Sequence, residues 1–224
     1  MPKFSTTFSA LLLAALLGTI AIAADEAAPV GSPKAPVAIP QLTEKITVDG
    51  DAAKWAKIKA LPAPFAKKDA GSLKLAWSED GLYGLAQIKD DKIVIDDTTP
   101  WSGDCLELFL ETDAARAEEL GTNGMQVCIA PKPGAAASIV VVPQGNANPD
   151  KITSVSKAIE GGYTLEFFIP AKLLKPAKMA PDTKMSFNYS VDNDGKSVEQ
   201  FYSNKDVEDG YKTPKAWGMI QLAK

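Results

Sequence analysis

The stretch Pro100-Trp101-Ser102-Gly103-Asp104-Cys105-Leu106-Glu107-Leu108-Phe109-Leu110-Glu111 decides the fold. It opens with a turn and runs into a strand. Leu106, Leu108 and Leu110 alternate with Cys105, Glu107, Phe109 and Glu111. Alternation with period two marks a strand with two different faces. The leucine face demands a core. The other face carries carboxylates, with Trp101 at its mouth. An aromatic ring beside carboxylates suits a sugar, because the ring covers the C–H face of a pyranose and the carboxylates accept from its hydroxyls. A solvated sheet face capped by a Trp carries the same pattern.

The partner strand follows a turn at Gly121-Thr122-Asn123-Gly124. Met125, Val127 and Ile129 alternate through Ala130. Placing Leu108 opposite Met125 and Leu106 opposite Val127 puts both apolar sets on one face. The same register sets Glu107 opposite Gln126 and Cys105 opposite Cys128. Directly opposed Cβ atoms lie roughly 4.5–5.5 Å apart, close to disulfide range. A cross-strand Cys105–Cys128 disulfide is therefore predicted.

Further strands surround this pair. Leu73, Leu75 and Trp77 alternate before Glu79-Asp80-Gly81, a hairpin turn into Leu82 to Lys89. Glu160-Gly161-Gly162 separates Ile152–Ile159 from Tyr163–Ile169, a second hairpin signal. Ser138–Val142, Met185–Val191, Ser197–Tyr202 and Trp217–Leu222 are further strand candidates. Short strands with Gly and Asx turns predict an all-β antiparallel sandwich. Its two sheets would pack in a jelly-roll-like or immunoglobulin-like way. Short helical excursions are expected at Ala52–Ala56 and Asp113–Leu120.

The 224 residues allow one large domain. Residues 1–23, with Lys3, an apolar run and Ala21-Ile22-Ala23, read as a signal peptide, so export to a periplasm or beyond is expected. The run is too short to span a bilayer, and no second run of spanning length follows. Residues 24–40 are Ala- and Pro-rich and read as a linker. The domain then covers 41–224, and a monomer is expected. The net charge is −4 and no basic stripe exists, which argues against a nucleic-acid partner. There is no His, which removes His-based catalysis and His metal ligation. Asp90, Asp91, Asp96 and Asp97 crowd one sheet end and are either turn residues or oxygen ligands. Asp192 and Asp194, in the turn Asp192-Asn193-Asp194-Gly195, also offer oxygens to a calcium ion.

Several segments together resemble the family 9 carbohydrate-binding modules. They are Val48-Asp49-Gly50 with Trp55, Leu75-Ala76-Trp77 with Gly81-Leu82-Tyr83, and Pro100-Trp101 with Asp104 and Glu107. Ile159-Glu160-Gly161-Gly162-Tyr163, Phe187-Asn188, and Pro214 with Trp217-Gly218 complete the set. The resemblance implies a non-catalytic sandwich that binds polysaccharide ends or glucose- and xylose-type sugars between two aromatic rings. It implies Trp101 as one ring, and Asp90 and Glu107 as acidic hydrogen-bonding groups. Three positions depart from the family pattern: Tyr211 stands for the second Trp, Glu208 for an Asn and Gln126 for an Arg. Structural calcium is also implied. Two other readings compete. One is a haem domain of related sandwich fold, with Met125 or Met185 as axial ligands beside Lys. The other is a glycosidase using Asp90 and Glu107 as its carboxylate pair.

Overall fold

The computed structural model describes residues 30–62, 70–143, 147–200 and 210–224. The segment 1–29 and Glu208 lie outside the described residues. The strands are β1 (Val37–Ile39), β2 (Gly71–Ser78), β3 (Gly81–Lys89), β4 (Cys105–Glu111), β5 (Gly124–Ala130) and β6 (Ser138–Val142). They continue with β7 (Thr153–Ile159), β8 (Gly162–Pro170), β9 (Lys184–Asn193), β10 (Lys196–Gln200) and β11 (Gly218–Leu222). One sheet has the order β1-β11-β9-β4-β5-β6, with β10 also on β9; the other has the order β2-β3-β8-β7. The only parallel pair among these is β1–β11.

The two sheets close on a single apolar interior. Leu106, Leu108 and Leu110 meet Phe187, Tyr189 and Val191 of β9 inside it, facing Trp77, Leu165 and Phe167 of the other sheet. This is the β-sandwich that the alternation demands. Both expected hairpins form: Ser78 pairs Gly81 across Glu79-Asp80, and Ile159 pairs Gly162 across Glu160-Gly161. Ala52–Trp55 is one 3-10 turn capped by Asp51.

Five expectations are corrected. In the β4–β5 ladder Leu108 pairs Val127 and Leu106 pairs Ile129, two residues away from the predicted register. A slip of two keeps every side chain on its own face, so face matching does not distinguish the two registers. Glu107 thus opposes Cys128, and Cys105 opposes Asp192 on β9. The predicted disulfide does not form, and both cysteines are buried free thiols.

The linker ends earlier than expected, because Val37–Ile39 pairs with Ile220–Leu222 and Ile39 is in the core. Residues 113–120 are not helical. Ala114 and Arg116 take φ of 53° and 56°, and the Glu111 carboxylate accepts from the backbone N–H of Arg116 (2.5 Å) and Ala117 (2.8 Å). Met125 and Met185 both pack in the sandwich interior, where they complete the core and offer no cofactor face.

Candidate functional site

The polar face of β4 forms the floor of a cavity of about 430 Å³. Trp101, Glu107, Gln126, Val142 and Tyr211 line it. Four of the six expected site residues are therefore brought together. Glu208 lies outside the described residues, and Asp90 is not on the lining. Val142 was not anticipated; it follows from Gln126 pairing Val142 across β5–β6.

Local devices aim each ring. Trp101 sits on a 3-10 turn, Pro100–Ser102, entered through Thr99. Asp96 fixes that entry by accepting from Thr98 N and Oγ1 and from Thr99 N and Oγ1, all within 2.8–2.9 Å. Those four bonds, led by the Thr99 backbone N–H, hold the Asp96 carboxyl below its ordinary range. Asp97 pairs with Lys132 at 2.6 Å. These two aspartates are thus turn and pairing residues. The turn after Trp101 needs Gly103, since a Cβ there would lie 2.5 Å from the Val94 carbonyl.

Tyr211 rides on a second 3-10 turn, Gly210–Lys212. Trp217 Nε1 donates to the Gly210 carbonyl at 2.7 Å. Trp217 in turn packs on Phe109 of β4, with ring centroids 5.7 Å apart, and the Arg116 guanidinium donates to its carbonyl at 2.8 Å. Phe109, Arg116 and Trp217 thus place Tyr211. Alternation marked Phe109 as facing the Glu107 side, but nothing in the spacing tied Arg116 to it.

Glu107 is 7% exposed. Gln126 Nε2 donates to its Oε1 at 2.6 Å, diagonally across the ladder. Burial first, then the neighbouring Asp192 carboxylate, pushes Glu107 up to about 8, while the Gln126 bond acts the other way. A carboxyl in that range both donates and accepts at neutral pH, which matches a hydroxyl in either role.

Asp90 sits elsewhere. Its Oδ1 accepts from Lys92 N, its Oδ2 is buried without a partner, and it is in contact with Asp104. Asp104 is fully buried and accepts from the N–H of Val94 and Asp194 (2.5 and 2.8 Å). The Asp90–Glu107 pair that a glycosidase needs is not assembled on the cavity.

Asp192 is buried beside Cys105 and Glu107; Asp194 does not join that group, which is the one such cluster among the described residues. Calcium takes about six to eight oxygens. A donor set centred on a thiol does not fit it.

No helix among the described residues is long and apolar enough to cross a membrane. Over residues 48–224 the sequence matches the family described as carbohydrate family 9 binding domain-like. It is 24% identical over 161 residues to endo-1,4-beta-xylanase A of Thermotoga neapolitana, covering 70% of this chain. The match spans only 14% of that enzyme. The fold is similar to a family 9 carbohydrate binding module from Caldicellulosiruptor kristjanssonii in complex with cellotriose, with TM-score 0.69 and 18% identity. That alignment covers 84% of this chain and 93% of the other. A complex with glucose from the same organism gives TM-score 0.66 at 19% identity, covering 84% and 96%. The chain therefore belongs to the carbohydrate family 9 binding domain-like family.

Proposed function

We propose that this chain is an exported, non-catalytic module that binds a glucose- or xylose-type sugar, or a polysaccharide end, between Trp101 and Tyr211. One observation carries the reading. Trp101 and Tyr211 are the large exposed aromatics among the described residues, at 39% and 53% exposure, and both border the same cavity. Exposed rings on one concave surface are costly in water and are covered by the C–H face of a sugar. Glu107 and Gln126 on the floor supply carboxyl and amide groups for the hydroxyls. Solved relatives hold cellotriose and glucose, which points to the same ligand class here.

The test is calorimetric titration of the mature domain with cellotriose, xylotriose and glucose. Trp101→Ala is expected to weaken the best ligand about tenfold or more. Unchanged affinity in that variant would remove the cavity from consideration. Export is tested separately, by sequencing the N-terminus of the secreted protein, which is expected to begin at Ala24.

A further inference from the structure

We propose that Cys105, Glu107 and Asp192 form a zinc-type metal site in the floor of the cavity, with water as the fourth ligand. The proposal does not rest on the sugar reading. Two adjacent strands supply the donors: β4 brings Cys105 and Glu107, and β9 brings Asp192 opposite Cys105. One donor atom each from Cys105, Glu107 and Asp192 lies within 4.8 Å of the other two. Cys105 Sγ is 3.6 Å from Asp192 Oδ2, and Cys128 Sγ is 3.6 Å from Glu107 Oε1.

In the metal-free protein each thiol donates a hydrogen bond to a carboxylate at 3.6 Å. The Cys105–Asp192 separation is also that of two ligands on one ion, since zinc–sulfur and zinc–oxygen bonds of about 2.3 and 2.0–2.2 Å place neighbouring tetrahedral ligands about 3.6 Å apart. A thiolate with two carboxylate oxygens favours a borderline ion over calcium or magnesium. Both carboxylates are nearly buried, at 7% and 5% exposure, and a divalent cation offsets the cost of ionising them side by side. Glu107 lines the cavity, so the ion has a path from solvent. On binding, Cys105 ligates as a thiolate, and its proton and any carboxyl proton pass to water.

The experiment uses the mature protein, reduced and then freed of reductant under argon, with no sugar present. Zinc is titrated by calorimetry and cadmium by ultraviolet absorption. One zinc per chain is expected, together with a thiolate-to-cadmium charge-transfer band. Cys105→Ser and Asp192→Asn, checked for folding by circular dichroism, are each expected to weaken zinc by roughly tenfold or more. Excess calcium should not displace the zinc. The proposal fails if the reduced wild type binds no zinc, or if calcium displaces it. It also fails if cadmium binds without the thiolate band, a result that needs no variant. Equal affinity in Cys105→Ser and wild type would likewise overturn it. Sugar affinity is read in separate titrations, so loss of one reading leaves the other standing.

Discussion

At the scale of single residues, the departures from the family pattern can be tested directly. Tyr211 offers less ring area than the Trp that the resemblance implies at that position. Its loop is already anchored by Trp217, so a larger ring needs no new support. Tyr211→Trp is expected to tighten sugar binding several-fold, measured in the same titration as Trp101→Ala. A second residue matters for the fold alone. Glu166 of β8 is fully buried and accepts from Asp49 N (2.9 Å), Gly50 N (2.7 Å) and Trp55 Nε1 (2.8 Å). It thereby staples the Val48–Trp55 segment to the sheet. Glu166→Ala leaves those donors without an acceptor and is expected to cost about 3 kcal/mol in urea unfolding, with Glu166→Gln retaining part of it. The sequence showed that Asp49, Gly50 and Trp55 belong together through the resemblance. It did not show Glu166, because a carboxylate more than a hundred positions away has no local signature.

At the scale of elements, alternation placed the strands and their faces, while register came from the third dimension. β4 is held from both sides, by β5 and by β9, and the β9 ladder sets Glu107 opposite Ser190 and Cys105 opposite Asp192. A two-strand argument had no access to that constraint. Alternation ended this strand at Val191 and put Asp192 in the turn after it, so the neighbours that β9 gives Glu107 were not legible. Within β3, Gly84 faces Phe167, and a Cβ would fall 2.1 Å from its Cζ. Gly84→Ala is expected to destabilise by about 1–3 kcal/mol through overpacking, read as a lower urea midpoint with unchanged slope. The turn bearing Trp101 depends on acid. The folded pKa of Asp96 lies below the ordinary 3.8, so its contribution is present above that value and is lost as the pH falls through the folded one. Asp96→Asn keeps at most one such acceptor. The gap in unfolding temperature between it and wild type is expected to be wide at about pH 6 and to narrow by about pH 3. A gap independent of pH would show that the charge of Asp96 plays no part.

At the scale of the whole molecule, the N-terminal segment ties the two sheets together. β1 adds to β11 in one sheet, and the Ile39 carbonyl accepts from Ala223 N at 2.8 Å. One residue later the chain crosses over: the Pro40 carbonyl accepts from Trp77 N at 3.0 Å, and Leu42 N donates to the Trp77 carbonyl at 2.8 Å. Trp77 belongs to β2 in the other sheet, and its indole N–H reaches back to the Ala223 carbonyl. Ala- and Pro-rich composition hid this role, because Val37-Ala38-Ile39 is a three-residue strand with no period to read. Composition reports whether a segment can build a core, but not whether it completes one already built. A chain beginning at Gln41 loses β1, the buried Ile39 side chain and the bonds to both sheets. It is expected to be less stable than a chain beginning at Ala24 by at least about 3 kcal/mol, since truncating a buried Ile alone costs about 2–5. For a domain of this size that corresponds to an unfolding temperature roughly 6–12 °C lower. Scanning calorimetry on the two chains decides it: equal midpoints would make residues 24–40 the tether that their composition suggests.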